Sequence, residues 1–145
     1  MTTFTRYLIG LYGEKFLLAT LQSLFGIGTA CKPVARFYGD IVLTVASGCH
    51  VRIEVKTARP NKRGQYQFCL RKAGHADVSH ADYVALILLT DMACPTVYIV
   101  PACQLAGRQL TLSATSVKFD KYRNSYASLA ACRPVASLNG CAASG

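Results

Sequence analysis

The spacing of apolar and polar positions divides the chain into one long helix followed by a series of strands. Over residues 3–25 apolar side chains recur at Tyr7, Leu11, Leu18, Leu21 and Phe25, a three- and four-residue spacing that marks one helix face, and Gly26 and Gly28 end it. The position that completes this spacing between Leu11 and Leu18 is Glu14. A carboxylate on a buried stripe costs free energy unless it is paired, protonated or bound to a cation; otherwise it sits at the stripe's solvated edge. Beyond the helix the period shortens. Strands are expected over 34–38, 41–45, 50–57 and 65–71, separated by loops rich in turn formers, and they read as antiparallel. Two wholly apolar runs, 83–89 and 97–100, suit central strands covered on both faces. Pro101 can start a short helix over 101–105, a further helix is expected over 118–129, and 131–145 reads as a flexible tail of small residues.

Within this pattern the stretch that carries chemistry is Gly39-Asp40 followed, on the second hairpin strand, by Glu54-Val55-Lys56. Side chains alternate along a strand, so Glu54 and Lys56 share one face while Ile53 and Val55 enter a core. If the chain folds back through the three residues 47–49, position 40 falls opposite position 56 and Asp40 joins that face. A two-residue turn puts Asp40 on the wrong side. The arrangement therefore requires an odd-length turn or a bulge, for which Gly48 supplies a residue able to take positive φ. Two neighbouring carboxylates repel, and a hard divalent cation held by oxygen ligands relieves them. Mg²⁺ suits such a site, because it needs only one or two protein carboxylates and keeps its other positions for water and phosphate. Lys56 beside it would orient or deprotonate a water and steady the charge building on a phosphate, which are the parts needed for phosphodiester hydrolysis. The plain alternative is an exposed hairpin with an ordinary Glu–Lys surface pair.

Charge strengthens the case for a polyanionic partner. The 145 residues are 52% hydrophobic, the size of one domain, and 16 Lys and Arg against 7 Asp and Glu leave a net charge of +9. Between Lys56 and Lys72 the basic residues are not interrupted by an acidic one. Arg59, Lys62 and Arg63 lie in the loop after the carboxylate–lysine motif, at the mouth of the expected site, where they would contact phosphates flanking the scissile one. Arg71 and Lys72 extend this track, and Lys118, Lys121 and Arg123 form a second basic surface. His75 and His80 have no paired cysteines to complete a zinc site. The seven cysteines include no C-x-x-C pair and are read as reduced thiols, several of them buried. No charged-then-apolar leader opens the sequence and no apolar run is long enough to span a bilayer, so a soluble, cytoplasmic protein is expected.

The order of a helix with Glu14, then Gly39-Asp40, a hydrophobic strand and Arg52-Ile53-Glu54-Val55-Lys56-Thr57-Ala58 resembles the PD-(D/E)XK nuclease superfamily. The likeness continues through Tyr66-Gln67-Phe68, Leu70-Arg71, Asp82-Tyr83-Val84-Ala85-Leu86, Tyr98-Ile99-Val100-Pro101 and 118–126. These segments are similar to the branch holding intron-encoded homing endonucleases and archaeal Holliday-junction resolvases. Gly39 replaces the proline of the family's name, and Glu54 stands where the intron-encoded relatives often carry glutamine. The resemblance implies an α/β, restriction-endonuclease-like αβββαβ core with a mixed central sheet flanked by helices, in a single nuclease domain over 1–130. It also implies a Mg²⁺-dependent endodeoxyribonuclease, with Mn²⁺ able to substitute, acting on duplex or branched DNA as a homodimer or higher homo-oligomer. Asp40 and Glu54 would bind metal, Lys56 would activate water, and Glu14 would match the acidic residue that the family's first helix often sends to the metal centre. The competing expectation is a non-catalytic nucleic-acid-binding protein on the same fold.

Overall fold

Helix α1 spans Thr3–Phe25 in a computed structural model that describes residues 2–32, 40–70, 81–90 and 94–131. The Thr2 side chain accepts the Thr5 N–H at its start, and the Gly26 N–H (φ +108°) donates to the Gln22 carbonyl at its end. The bounds are those the apolar spacing predicts, but the buried face is rotated. Gly13, Leu17 and Leu21 are buried, whereas Tyr7 is 64% exposed and Glu14 stands on the flank with its side chain 23% exposed. The reason is Gly13. With no side chain, it lets the helix backbone sit down on Thr57, and this close approach decides which stripe faces the sheet.

Five strands form the main sheet: β1 (Ala30–Cys31), β2 (Ile41–Thr44), β3 (His50–Ala58), β5 (Tyr83–Leu88) and β6 (Thr96–Pro101), in the spatial order β1-β2-β3-β5-β6. All neighbours are antiparallel except β3 and β5, which run parallel from Ile53↔Tyr83 to Ala58↔Leu88, so the sheet is mixed as expected. The Asp82 carboxylate fixes that register: it accepts the Arg52 backbone N–H at 2.8 Å and pairs with the Arg52 guanidinium at 3.1 Å. β5 is buried on both faces, as its unbroken apolar run predicts.

Several expectations change. β4 (Gln65–Cys69) does not extend the antiparallel meander; it leaves the main sheet and pairs with β7 (Gln109–Ser113), a strand that was not foreseen, in a separate two-stranded ribbon. Its Tyr66 and Phe68 find a better apolar partner in Leu110 and Leu112 than an edge position would offer. The short helix after Pro101 is a 3₁₀ turn, Ala102–Gln104. Instead of one helix over 118–129 there is a 3₁₀ turn, Asp120–Tyr122, and a single helical turn α2, Ala127–Ala130. Asn124, at φ +51°, interrupts what would have been continuous. The strand expected over 34–38, the tail beyond 131 and any helix within 71–80 lie outside the described residues. Among the cysteines, Cys31, Cys69 and Cys94 are exposed rather than buried, and Cys103 is disulfide-bonded rather than a free thiol. No helix among the described residues is long and apolar enough to cross a membrane.

The main sheet thus separates two apolar layers. On one face α1 packs Leu17 and Leu21 against Ile41, Leu43, Val51, Ile53 and Val55; on the other, the ribbon packs Tyr66, Phe68 and Leu112 against Val84, Leu86 and Val100. A Cβ at Gly13 would overlap the Thr57 hydroxyl and come within 2.9 Å of the Thr57 Cβ, whereas one at Gly10 would meet nothing within 4 Å. Gly13→Ala should therefore lower stability by about 1–3 kcal/mol, while Gly10→Ala raises it by about 0.5–1 kcal/mol through helix propensity. Thermal melts of both variants check this; equal shifts would refute the close packing.

Candidate active site

The hairpin joining β2 to β3 decides whether the expected site exists. Its register runs from Thr44↔His50 to Ile41↔Ile53, and the Val45 N–H reaches the Cys49 carbonyl at 3.0 Å, leaving 46–48 as a three-residue turn. Gly48 closes it at φ +82°. The turn is odd-length, as required, but it lies one residue earlier than expected. The pairing shifts accordingly and ends at Ile41↔Ile53; the Asp40 N–H turns to that same Ile53 carbonyl, a departure from regular pairing that sets Asp40 beside 53–55 rather than opposite Lys56. Glu54 and Lys56 share one face of β3, because Val51, Ile53 and Val55 are buried on the other, and the charges of both act on Asp40.

Asp40 stands immediately before β2 and completes the ladder with both ends of its structure. Its backbone N–H donates to the Ile53 carbonyl at 3.0 Å, and its carboxylate accepts the Val55 N–H at 2.8 Å. One carboxylate oxygen is thereby held against β3 beside Glu54. Lys56 pairs with Glu54, Nζ to Oε1 3.3 Å, with both side chains about a quarter exposed. Burial raises the Asp40 carboxyl to about 6; the charge of Glu54 pushes it the same way and that of Glu14 adds to it, against the Val55 hydrogen bond and Lys56.

Glu14 reaches this group by its field, while its own carboxylate contacts Lys32, Oε2 to Nζ 2.6 Å. That hydrogen bond raises the Lys32 ammonium above its usual range, and Asp40 contributes to the same effect. Lys32 was not foreseen. Nothing local in the sequence marks it, since it approaches the site only because β1 pairs with β2 through Cys31↔Val42. Among the described residues no three His, Cys, Asp or Glu side chains gather tightly enough to form a ready-made metal cluster. Asp40 and Glu54, the second of which opposes the ionisation of the first, are the two carboxylates that could hold a hard cation such as Mg²⁺, which needs only one or two from a protein.

The basic residues fall into two groups. Arg59, Lys62 and Arg63 are exposed at the tip joining β3 to β4, where the Asn61 side chain accepts the N–H groups of Arg63 and Gln65 at 2.9 and 3.0 Å and Gly64 takes φ +71°. Arg59 also lines a cavity of about 410 Å³ with Arg6, Thr57 and Asn61, a surface the sequence did not announce. Lys118, Lys121 and Arg123 instead lie over aromatic rings, those of Phe119, Tyr122 and Tyr98. Arg123 also donates to the Tyr98 hydroxyl at 3.0 Å and pairs with Asp120 at 3.5 Å, which ties it to holding the C-terminal turn on β6. Arg71, Lys72, His75 and His80 lie outside the described residues.

The sequence matches no family model and no curated protein. Among solved structures the fold is similar to that of I-Ssp6803I, a bacterial homing endonuclease, with a TM-score of 0.66 and 18% identity over 86% of this chain and 91% of that one. The resemblance expected from the sequence is thereby borne out in the fold.

The state of Asp40 has a measurable consequence. Its folded value of about 6 exceeds the ordinary 3.8, so the stability it contributes is fully present below about pH 4 and lost as pH rises through 6. Asp40→Asn, which keeps an acceptor for the Val55 N–H, should be more stable than the parent by about 1–2 kcal/mol at pH 8, after discounting for solvent, with the gap closing below pH 4. Denaturant melts across that range test it; a pH-independent gap would show that charge is not the cause.

Proposed function

We propose that this chain is a Mg²⁺-dependent DNA endonuclease that hydrolyses phosphodiester bonds. The observation that supports it most is the Asp40 carboxylate held on the Val55 N–H within the field of Glu54 and Lys56, which share one face of β3. The fold shared with a homing endonuclease and the net charge of +9 point the same way. On this reading Asp40 and Glu54 hold the cation, and Mn²⁺ serves in its place. When bound, the cation supplies Lewis-acid polarisation of a phosphoryl oxygen and lowers the pKa of a water. Lys56, on the same face as Glu54, would orient the attacking water and balance negative charge on the phosphate. Glu14, held by Lys32, assists from the flank by adding negative potential that favours a cation at Asp40. Arg59, Lys62 and Arg63 grip flanking phosphates.

A site of this kind cuts one strand, so cleavage of a duplex calls for a second copy, and the homodimer belongs to the proposal. Phe4, Tyr7, Leu8 and Tyr12 stay exposed on the N-terminal half of α1, an apolar row available to it. Sedimentation at micromolar concentration should show a dimer; a monomer, alone and on DNA, would overturn that part.

Lys56→Ala should lower the cleavage rate by about 10²–10³-fold or more with DNA affinity kept, and Asp40→Ala should do the same while abolishing the response to Mg²⁺. Plasmid, linear duplex and four-way-junction substrates, each titrated with Mg²⁺, measure this. Undiminished cleavage by both variants would sink the assignment, and DNA binding without product in the parent chain would favour a non-catalytic binding protein.

A further inference from the structure

Lys32 is brought to the candidate site by a strand that is fastened on both sides. The Gln22 side-chain amide of α1 donates to the Ala30 carbonyl of β1 at 3.1 Å, and the Thr44 N–H of β2 donates to the Thr29 carbonyl at 2.7 Å. β1 pairs with β2 as far as Cys31↔Val42, so the next residue leaves the ladder beside the start of β2, where Asp40 stands. There the Lys32 ammonium meets the Glu14 carboxylate, Nζ to Oε2 2.6 Å. The charge of Asp40 acts on the same ammonium, and the charges of Glu14, Glu54 and Lys56 all act on Asp40. These five side chains form one electrostatic group.

An ion pair on an open surface contributes little and implies no function. This pair is asymmetric: the Lys32 side chain is 50% exposed, whereas that of Glu14 is 23% exposed, so the carboxylate has less water around it and leans on the ammonium for its countercharge. Within the group each ammonium already holds one carboxylate, Lys56 on Glu54 at 3.3 Å and Lys32 on Glu14, while Asp40 rests on the Val55 N–H. A divalent cation on Asp40 and Glu54 meets a consequence of this arrangement. As long as Lys32 holds Glu14, that carboxylate does not turn to the cation, and a positive charge stays close enough to oppose it.

We propose that Lys32 is a counter-ion built into the site, a positioning residue that keeps Glu14 from the divalent cation until a DNA phosphate draws the ammonium away. This rests on the nuclease reading above and adds to it that substrate and cation load together. Half of the Lys32 side chain is open to solvent, so a phosphate reaches it, and a phosphate oxygen offers the ammonium the same charge-assisted hydrogen bond that Glu14 does. Released, Glu14 adds its charge and an oxygen ligand to those of Asp40 and Glu54, and hard cations bind more tightly as the ligand charge rises. The coupling is reciprocal: DNA tightens the cation by the factor that the cation tightens DNA.

Calorimetric titration of the full chain with Ca²⁺, a hard cation that also takes oxygen ligands, tests this without relying on turnover. In the absence of DNA, Lys32→Gln should bind Ca²⁺ about three- to tenfold more tightly than the parent, a gap that narrows as salt screens the charge, while Lys32→Arg should match the parent. The gain should vanish when Lys32→Gln is combined with Glu14→Gln. A random-sequence duplex should then tighten Ca²⁺ binding more in the parent than in Lys32→Gln, where Glu14 is already free to turn. An unchanged Ca²⁺ affinity in Lys32→Gln, a gain that survives without the Glu14 carboxylate, or equal tightening by DNA in both chains would overturn this inference and leave the nuclease reading intact. Weakened DNA binding with no change in Ca²⁺ affinity would do the same, making Lys32 a plain phosphate contact. A parent chain that takes up neither Ca²⁺ nor Mg²⁺ and cuts no DNA would end both.

Discussion

Strand β3 carries two demands at once, and the rest of the molecule is arranged to let it meet them. Its odd positions must be apolar enough to bury against α1, while its even positions 52, 54 and 56 carry charge on the opposite face. Strict alternation satisfies both only if the strand neither slips nor twists out of register. Three independent contacts prevent that: the antiparallel ladder to β2, the parallel ladder to β5, and the Arg52–Asp82 clamp at the start of the parallel pair. A slip of one residue on either side would send Glu54 and Lys56 into the layer holding Leu17 and Leu21, at the cost of burying charge.

Asp40 depends on β3 as well. Placed before the first residue of β2, it lacks the full support of a ladder, and its carboxylate takes over by accepting the Val55 N–H. The hydrogen bond positions the group while burial and Glu54 oppose its ionisation. Such an arrangement stores unfavourable electrostatics in the folded state. Stability lost at Asp40 is made up elsewhere, in the two apolar layers on either side of the sheet.

The helix and the ribbon differ in how much of their placement is local. α1 starts and stops where Thr2 and Gly26 cap it, but its buried stripe is selected by the fit of Gly13 on Thr57, forty-four residues away in the chain, and the apolar count along the helix was too even to reveal it. Tyr7 is exposed in consequence, and Glu14 finds Lys32 rather than a core position. The ribbon goes further. Gln109–Ser113 alternates only weakly, and its strand exists because β4 offers a partner.

The sequence by itself determined the helix bounds, the strands β2, β3, β5 and β6, the shared face of Glu54 and Lys56, and the need for an odd turn at Gly48. These follow from periodicity and backbone preference, which act over a few residues. Only the tertiary structure decided that the Asp40 carboxylate is held on the Val55 N–H, that Lys32 holds Glu14, that Arg123 braces Tyr98, and that β4 joins β7 outside the main sheet. Each of those depends on which segments meet across long stretches of chain, where the free energy of packing outweighs local preference and a single sequence carries no record of the pairing.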